Sequence, residues 1–247
     1  MSFRQLRIAA VGVLSLSFIP VSARAQFAPP MPLQLQFRVD EARPVLAAFA
    51  KCNVKKNPAL AREFILSNRN YWVDGRFRNL VLPECLGEVM GGLSFARLQL
   101  TSPVLWYIIA DALVSMDLQR FNPDNLRNAA PLPDLVIEPP KMFENGHAAA
   151  PMMTPESFAA AKNDLALVKY GECVVRADPH GSQRLLASKI NSKEEGAALT
   201  ALLPAFGACL DKGRQLGSSR LVLRGIIAVN YYRLANAPQV VPSTAKS

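Results

Sequence analysis

Residues 52–58 read CNVKKNP, and 121 positions later residues 173–179 read CVVRADP. A second pair follows, VLWYIIA at 104–110 and VLRGIIA at 222–228, separated by 118 positions. After the first block of each half comes one further cysteine, Cys85 or Cys209. Fixed-spacing similarity of this kind is typical of duplicated units and decides how the fold is assigned. The sequence therefore predicts two homologous halves that share packing positions and cross-links.

The local signals in both halves are helical. Asn57-Pro58 and Asp178-Pro179 each predict a helix boundary, where the polar side chain caps and the proline opens the next helix. The last helix of each half has an apolar stripe, centred on Ile108-Ile109 and on Ile226-Ile227. We therefore predict an all-α fold of two small helical modules, with three to four helices in each.

Three stretches carry weaker signals. Residues 71–77 read YWVDGRF, a hairpin pattern, but we expect an irregular loop leading into a short helix near residues 80–86. Residues 192–195 read SKEE and predict a capping box that opens a third helix carrying Cys209 near its end. The β-branched run at 221–229 leaves a strand open, and we choose a helix because the pattern continues through Leu234.

The chain has four cysteines, an even number that predicts disulfides in an exported protein. Four cysteines allow three connectivities, and the duplication selects Cys52–Cys85 and Cys173–Cys209, one bridge in each module. A metal site is the rival use of cysteine, but no pair has the Cys-x-x-Cys spacing. We predict neither a metal nor a cofactor.

The first 25 residues have the features of a secretory signal peptide. Arg4 and Arg7 precede a mostly apolar run at 8–21, and Ala23-Arg24-Ala25 is a small-x-small cleavage site. No later stretch approaches the ~18 apolar residues of a membrane span. The sequence therefore predicts a periplasmic or secreted protein with no transmembrane segment after cleavage.

Proline content and the repeats divide the rest of the chain. The predicted segments, in order, are an extended leader (26–39), helical module 1 (40–117), a proline-rich connector (118–153), helical module 2 (154–235) and a disordered tail (236–247).

The chain is basic, with a pI near 9.7, and loss of the signal peptide lowers its formal charge from +9 to +6. Export argues against a nucleic-acid partner and leaves an anionic envelope component or a protein partner. The basic candidates for anion binding cluster in two places, around the first helix junction (Lys51, Lys55, Lys56 and Arg62) and near the last helix (Arg214, Arg220, Arg224 and Arg233). Ordinary surface charge is the alternative interpretation.

The motif set resembles a group of exported alphaproteobacterial helical proteins. The resemblance is carried by Cys-x-Val-Lys/Arg followed by Asn/Asp-Pro in both halves, by the second cysteine and by a Leu-x-Gly-Ile-Ile-Ala-like helix. It departs in residues 71–77 and where LWY at 105–107 replaces LRG at 223–225. We attach no activity to that group, so the resemblance implies a fold and carries no functional residue.

Few residues suggest catalysis. Glu84 and Glu88 lie four apart and predict a shared helix face, and paired carboxylates can hydrolyse glycosidic bonds. His180, in the first turn of a helix, is a possible base, whereas His147 lies in the connector. The nucleophile motif Gly-x-Ser-x-Gly is absent, as are phosphate-binding glycine loops.

We therefore predict a non-catalytic exported interaction or binding protein. The alternative is an envelope hydrolase that acts on cell-wall glycan through Glu84 and Glu88. An enzyme would need a concave site where polar groups converge, whereas a binder would present an exposed apolar or basic patch.

Overall fold

A computed structural model describes residues 39–67, 75–89, 102–135, 155–211 and 218–238. In this part of the chain the secondary structure is helical, which confirms the all-α prediction. The helices are α1 (Val39–Lys56), α2 (Pro58–Leu66), α3 (Pro83–Val89), α4 (Ser102–Asp117), α5 (Pro155–Ala177), α6 (Pro179–Ala187), α7 (Lys193–Ala201), α8 (Leu203–Ala208) and α9 (Arg220–Ala235). Short 3-10 helices cover Gly75–Leu80, Leu118–Arg120 and Pro123–Asn125.

The two predicted helix boundaries lie where the motifs placed them. α2 begins at Pro58 and α6 begins at Pro179. The Asp178 carboxylate caps α6 by accepting a hydrogen bond from the Gly181 amide at 2.7 Å. The Asn57 side chain makes no such capping bond and instead donates to the Asn79 carbonyl. The second boundary is therefore capped by its side chain and the first is not.

Both predicted disulfides are present. Cys52 and Cys85 join α1 to α3, with their Cα atoms 5.6 Å apart. Cys173 and Cys209 join α5 to the residue that ends α8, with a Cα separation of 5.8 Å. Each bridge closes a loop within one half, so neither bridge connects the two halves. The contacts between the halves are non-covalent.

Helices α4 and α9 pack against each other at the centre, with α1 on α4 and α5 on α9. Ile109 and Ile227 in this pair are fully buried, as the apolar stripes predict. The helices approach closely at Gly225, where an added Cβ would overlap the Cβ and ring of Tyr107. In the repeat alignment Tyr107 and Gly225 are equivalent positions, so the contact joins matching points of the two halves.

The connector begins as a packed segment. The Arg176 guanidinium on α5 donates to the carbonyls of Ala129 and Ala130, at 2.8 and 2.9 Å, and pairs with Glu172 at 2.8 Å. The Ala130 amide donates to the Pro238 carbonyl at 3.0 Å. Residues 118–135 are therefore held against the second half, and the tail is fixed as far as Pro238.

The predicted third helix of the second half is two helices. α7 ends at Ala201 and α8 begins at Leu203, with Pro204 in the first turn of α8. Proline has no amide hydrogen and clashes with the preceding turn, which kinks or breaks a helix, and here the chain divides at Leu202. The run at 221–229 is helical, as chosen, and lies within α9.

Some predictions fall on residues outside the described ranges. They are the signal peptide (1–25), almost all of the leader, residues 71–74 of the hairpin-like stretch and the later part of the connector. Among the described helices, none is both long and apolar enough to cross a bilayer.

Candidate functional site

Two features of the described chain combine unusual chemistry with a defined shape. The first is a group of four charged side chains, three of them buried and one, Asp111, half-buried, which we call the ionic cluster: Arg43, Asp111, Glu195 and Arg224. Arg43 and Asp111 come from the first half, on α1 and α4, and Glu195 and Arg224 come from the second half, on α7 and α9. The cluster holds two cations and two carboxylates, so its formal charge is zero.

Glu195 is the centre of the ionic cluster and is completely buried. Arg43, only 1% exposed, donates to both carboxylate oxygens from Nη1 and Nη2 in a fork-to-fork pair. Arg224 Nη1 donates to Oε1 at 3.2 Å, and the Asn191 amide donates to Oε2 at 3.0 Å. Four hydrogen bonds from three residues therefore satisfy this carboxylate.

Arg224 completes the link between the halves. Its Nε lies 3.0 and 3.1 Å from the two Asp111 oxygens. Its Nη1 and Nη2 donate to the carbonyls of Leu185 and Leu186, at 2.9 and 3.0 Å, near the end of α6. The guanidinium thus joins α4, α6, α7 and α9.

The two carboxylates experience their surroundings differently. Burial raises the pKa of Glu195, but the hydrogen bonds from Arg43 and Asn191 and the two guanidinium charges outweigh it, so the net pKa is lowered. For Asp111 burial dominates over the neighbouring Arg224, and the net pKa is raised. The same cluster therefore favours the ionised form of one acid and disfavours that of the other.

A cavity adjoins the ionic cluster, lined in part by Arg43, Tyr107, Asp111 and Arg224. It offers about 20 Å³ to the centre of a water-sized molecule. That is room for about one water molecule and far below the ~300 Å³ of a small ligand site. The ionic cluster is therefore a structural link and does not provide a binding pocket.

The second feature is an open depression on the second half, which we call the groove. It lies between α5, α7, α8 and the start of α9 and encloses about 430 Å³, within the range of small-ligand sites. Its apolar wall is formed by Tyr170, Leu199, Leu203, Phe206, Leu210 and Leu223. Leu203 is 60% exposed, the highest among the large apolar side chains exposed in the described residues.

The polar groups of the groove are few. The Tyr170 hydroxyl already donates to the Phe206 carbonyl at 3.1 Å, and the Thr200 hydroxyl donates to the Gly196 carbonyl at 3.0 Å. Arg220, the first residue of α9, supplies the charge on the groove wall and is exposed. Within the described ranges no carboxylate pairs with Arg220. Its guanidinium donors are therefore open to a ligand.

The predicted catalytic pair lies at the surface. Glu84 and Glu88 share one side of α3, and both face Lys56, whose Nζ is 4.0 Å from Glu84 and 2.9 Å from Glu88. Their side chains are 55% and 59% exposed. Two carboxylates that pair with one lysine in open solvent form an ordinary surface ion-pair group.

His180 has a partner that the sequence did not reveal. Its Nε2 lies 2.8 Å from Oδ1 of Asp124, which belongs to the 3-10 turn Pro123–Asn125. Both side chains are more than half exposed. A histidine–carboxylate pair can orient a base, but none of the described contacts brings a serine or threonine hydroxyl to this imidazole. The pair attaches the first part of the connector to α6.

The basic candidates do not form one surface. Lys51, Lys55 and Arg220 are exposed, whereas Lys56 pairs with Glu88, and Arg62 lies 3.4 Å from Asp117. Arg224 was assigned to the basic surface, and this assignment is wrong: the side chain is buried, and Asp111 and Glu195 compensate its charge. Arg233 is also buried, and Arg214 lies outside the described residues.

Sequence reasoning missed the ionic cluster although it singled out two of its members. Glu195 was interpreted as half of a capping box. Only the Ser192 half of that box forms, because the Glu195 carboxylate accepts from Arg43, Arg224 and the Asn191 amide. The sequence did contain one signal for the ionic cluster. Asp111 and Arg224 each place a charge within a largely apolar helix, and these two helices, α4 and α9, were predicted to be equivalent.

Across the described residues, no group of three or more histidine, cysteine, aspartate or glutamate side chains is arranged to hold a metal ion. Comparison with protein-family models, with characterised proteins and with solved structures finds no match to this chain.

Proposed function

We propose that this protein is a non-catalytic, exported binding protein and that the groove on its second half is the ligand site. The observation that carries the proposal is the combination of size and lining in the groove. About 430 Å³ of open, mainly apolar space is enough to bury a small ligand, whereas the cavity beside the ionic cluster has room for one water molecule.

The arrangement of side chains favours binding over catalysis. Inside the groove the two hydroxyls are engaged with backbone carbonyls, so neither is held against a base. A nucleophile and its base within hydrogen-bond reach of each other are the usual mark of covalent catalysis. Apolar walls with one cation instead resemble the lining of sites that hold a ligand unchanged.

The proposal assumes that the protein is exported to an oxidising compartment. Two bridges, each with normal Cα separation, use all four cysteines, and such bridges persist in oxidising compartments. An exported binder would meet anionic envelope components, which is the partner class that the positive charge of the chain favours.

The hydrolase alternative gains no support from the site geometry. Glu84 and Glu88 are both exposed and both lie beside Lys56, whereas a glycosidase places one acid in a protected environment that keeps it protonated.

The proposal is tested with an uncharged apolar fluorophore, N-phenyl-1-naphthylamine, titrated into the chain from Gln26 onward. We expect saturable binding that is weakened at least threefold by Leu203→Gln. The matched control is Leu66→Gln, which removes another exposed leucine, 40% exposed and on α2, away from the groove. Absence of saturable binding, or equal weakening by both variants, would refute the proposed site.

A further inference from the structure

The side chains that line the groove also favour one class of ligand. This inference rests on the proposed function, in which the groove is the ligand site. The apolar wall can be covered only by an apolar body, since burial of polar groups without partners costs free energy. The hydroxyls of Tyr170 and Thr200 have used their donor hydrogens on carbonyls of the protein. A ligand therefore finds its hydrogen-bond donors in Arg220.

Three ligand classes fit this wall poorly. A glycan carries many hydroxyls that need partners along its whole length. An extended peptide carries a backbone donor and acceptor at each residue and would leave most of them unpaired against leucine side chains. A cation would meet Arg220, a like charge. Each of these ligands would lose more hydration than the groove replaces.

A single-chain amphiphile with one anionic head group satisfies the groove. Its chain would cover Leu199, Leu203 and Leu223, and its head would reach the donors of Arg220. The guanidinium fork matches the two oxygens of a carboxylate. A phosphate monoester would bring nearly two negative charges to one cation, so a monoanion is the better match.

We propose that the groove binds a straight-chain acyl carboxylate, with the chain along the apolar wall and the carboxylate on Arg220. The preference comes from charge complementarity, because the exposed cation on the wall has no described acidic partner. Since Arg220 lies at the exposed rim, we expect a modest contribution from the charge, about fivefold in affinity, and a decrease of this factor as salt is added.

The experiment measures displacement of N-phenyl-1-naphthylamine by decanoate and by decanol, which share a chain and differ in head-group charge. In the wild-type chain, decanoate should displace the fluorophore at about fivefold lower concentration than decanol. Arg220→Gln should remove this preference and leave displacement by decanol unchanged. Arg184→Gln is the matched control, since Arg184 is also exposed but does not line the groove.

Each outcome decides the proposal. An unchanged preference in Arg220→Gln, or an equal loss in Arg184→Gln, would overturn the carboxylate assignment while saturable fluorophore binding would leave the proposed function standing. No fluorophore binding at all would refute the proposed function itself. A wild-type dimer in sedimentation that becomes monomeric in Leu203→Gln would assign the groove to a second copy of the chain and overturn the ligand proposal. Far-ultraviolet circular dichroism checks that both arginine variants are folded.

Discussion

The ionic cluster and the groove differ in the kind of side chain they contain and in their exposure to solvent. The ionic cluster buries three charges and half-buries a fourth, and it leaves room for about one water molecule. The groove leaves apolar side chains open to solvent around a space of about 430 Å³. Removing one member of a buried charge group leaves the others uncompensated, whereas changing an exposed leucine removes little from the folded state. The difference teaches that the interactions expected to stabilise this fold and the proposed binding site lie in separate places.

The contrast also concerns the two halves. The ionic cluster takes two residues from each half, so it links them without a covalent bond between them. The groove belongs to the second half alone, to α5, α7, α8 and α9. Variants of the ionic cluster should therefore act on the whole fold, and variants of the groove should act on binding.

The largest effect is expected from Glu195→Gln. The substitution keeps the volume but leaves Arg43 and Arg224 without this shared negative charge, and breaking a buried pair costs about 3–5 kcal/mol. Urea unfolding followed by circular dichroism measures the loss. The adjacent exposed Glu194 is the control: Glu194→Gln should change the free energy of unfolding far less than Glu195→Gln. Equal losses in the two variants would mean that the ionic cluster does not link the halves.

The next effect is expected from Gly225→Ala, where α9 packs closely against Tyr107 on α4. The new Cβ would overlap Tyr107, and overpacking of a core costs about 1–3 kcal/mol. Gly87→Ala on α3 is the matched control, because no atom lies within 4 Å of its added Cβ. The control should be neutral or more stable, since alanine favours a helix over glycine by roughly 1 kcal/mol. Thermal unfolding of both variants measures the two changes in stability. An unchanged stability in Gly225→Ala would contradict the packing described.

Acid should weaken the ionic cluster through Glu195. Its pKa is lower in the folded chain than in the unfolded chain, so its contribution is complete above the unfolded pKa of roughly 4.3 and is lost as pH falls through the folded pKa. Asp111 has a raised pKa and acts in the opposite direction, favouring the folded state on protonation. Unfolding free energies between neutral pH and about pH 3 should therefore fall less in Glu195→Gln than in the wild type, and more in Asp111→Asn. Parallel curves for the three proteins would contradict the assignment.

The smallest effect on stability is expected in the groove. Leu203→Gln should change the free energy of unfolding by no more than about 0.5 kcal/mol, because the side chain is 60% exposed. The same variant should weaken fluorophore binding, so stability and binding should separate. A loss of stability as large as that of Glu195→Gln would show that the groove wall supports the fold and would remove the distinction between the two regions.

The parts of the fold that could be predicted are those with local or repeated signals. Asn57-Pro58 and Asp178-Pro179 each predict the start of a helix from two adjacent residues. The disulfide pairing followed from the position of one cysteine pair in each half. The division of the third helix into α7 and α8 was missed although Pro204 was visible, because the capping residues before it and Cys209 after it were read as one element.

The ionic cluster could not be predicted because its pairs are distant in sequence. Arg43 and Glu195 are 152 residues apart, and Asp111 and Arg224 are 113 apart. The sequence showed only the local role of Glu195 after Ser192, and its nonlocal role prevailed because two guanidinium groups compete for the same oxygens. The groove depends on the angle between α7 and α8, which periodicity does not give. Leu203-Pro204, which marks the junction of α7 and α8, was the sequence signal available for it.

The most direct test of the separation is a two-dimensional ¹H–¹⁵N NMR titration of the chain from Gln26 onward with decanoate. The amides of Thr200, Gly207 and Arg220 report on the groove, and those of Arg43 and Asp111 report on the ionic cluster. We predict saturable shifts at the three groove amides, with the two cluster amides unchanged. Shifts centred on the cluster, or on Lys56 and Glu88, with the groove amides unchanged, would contradict the account.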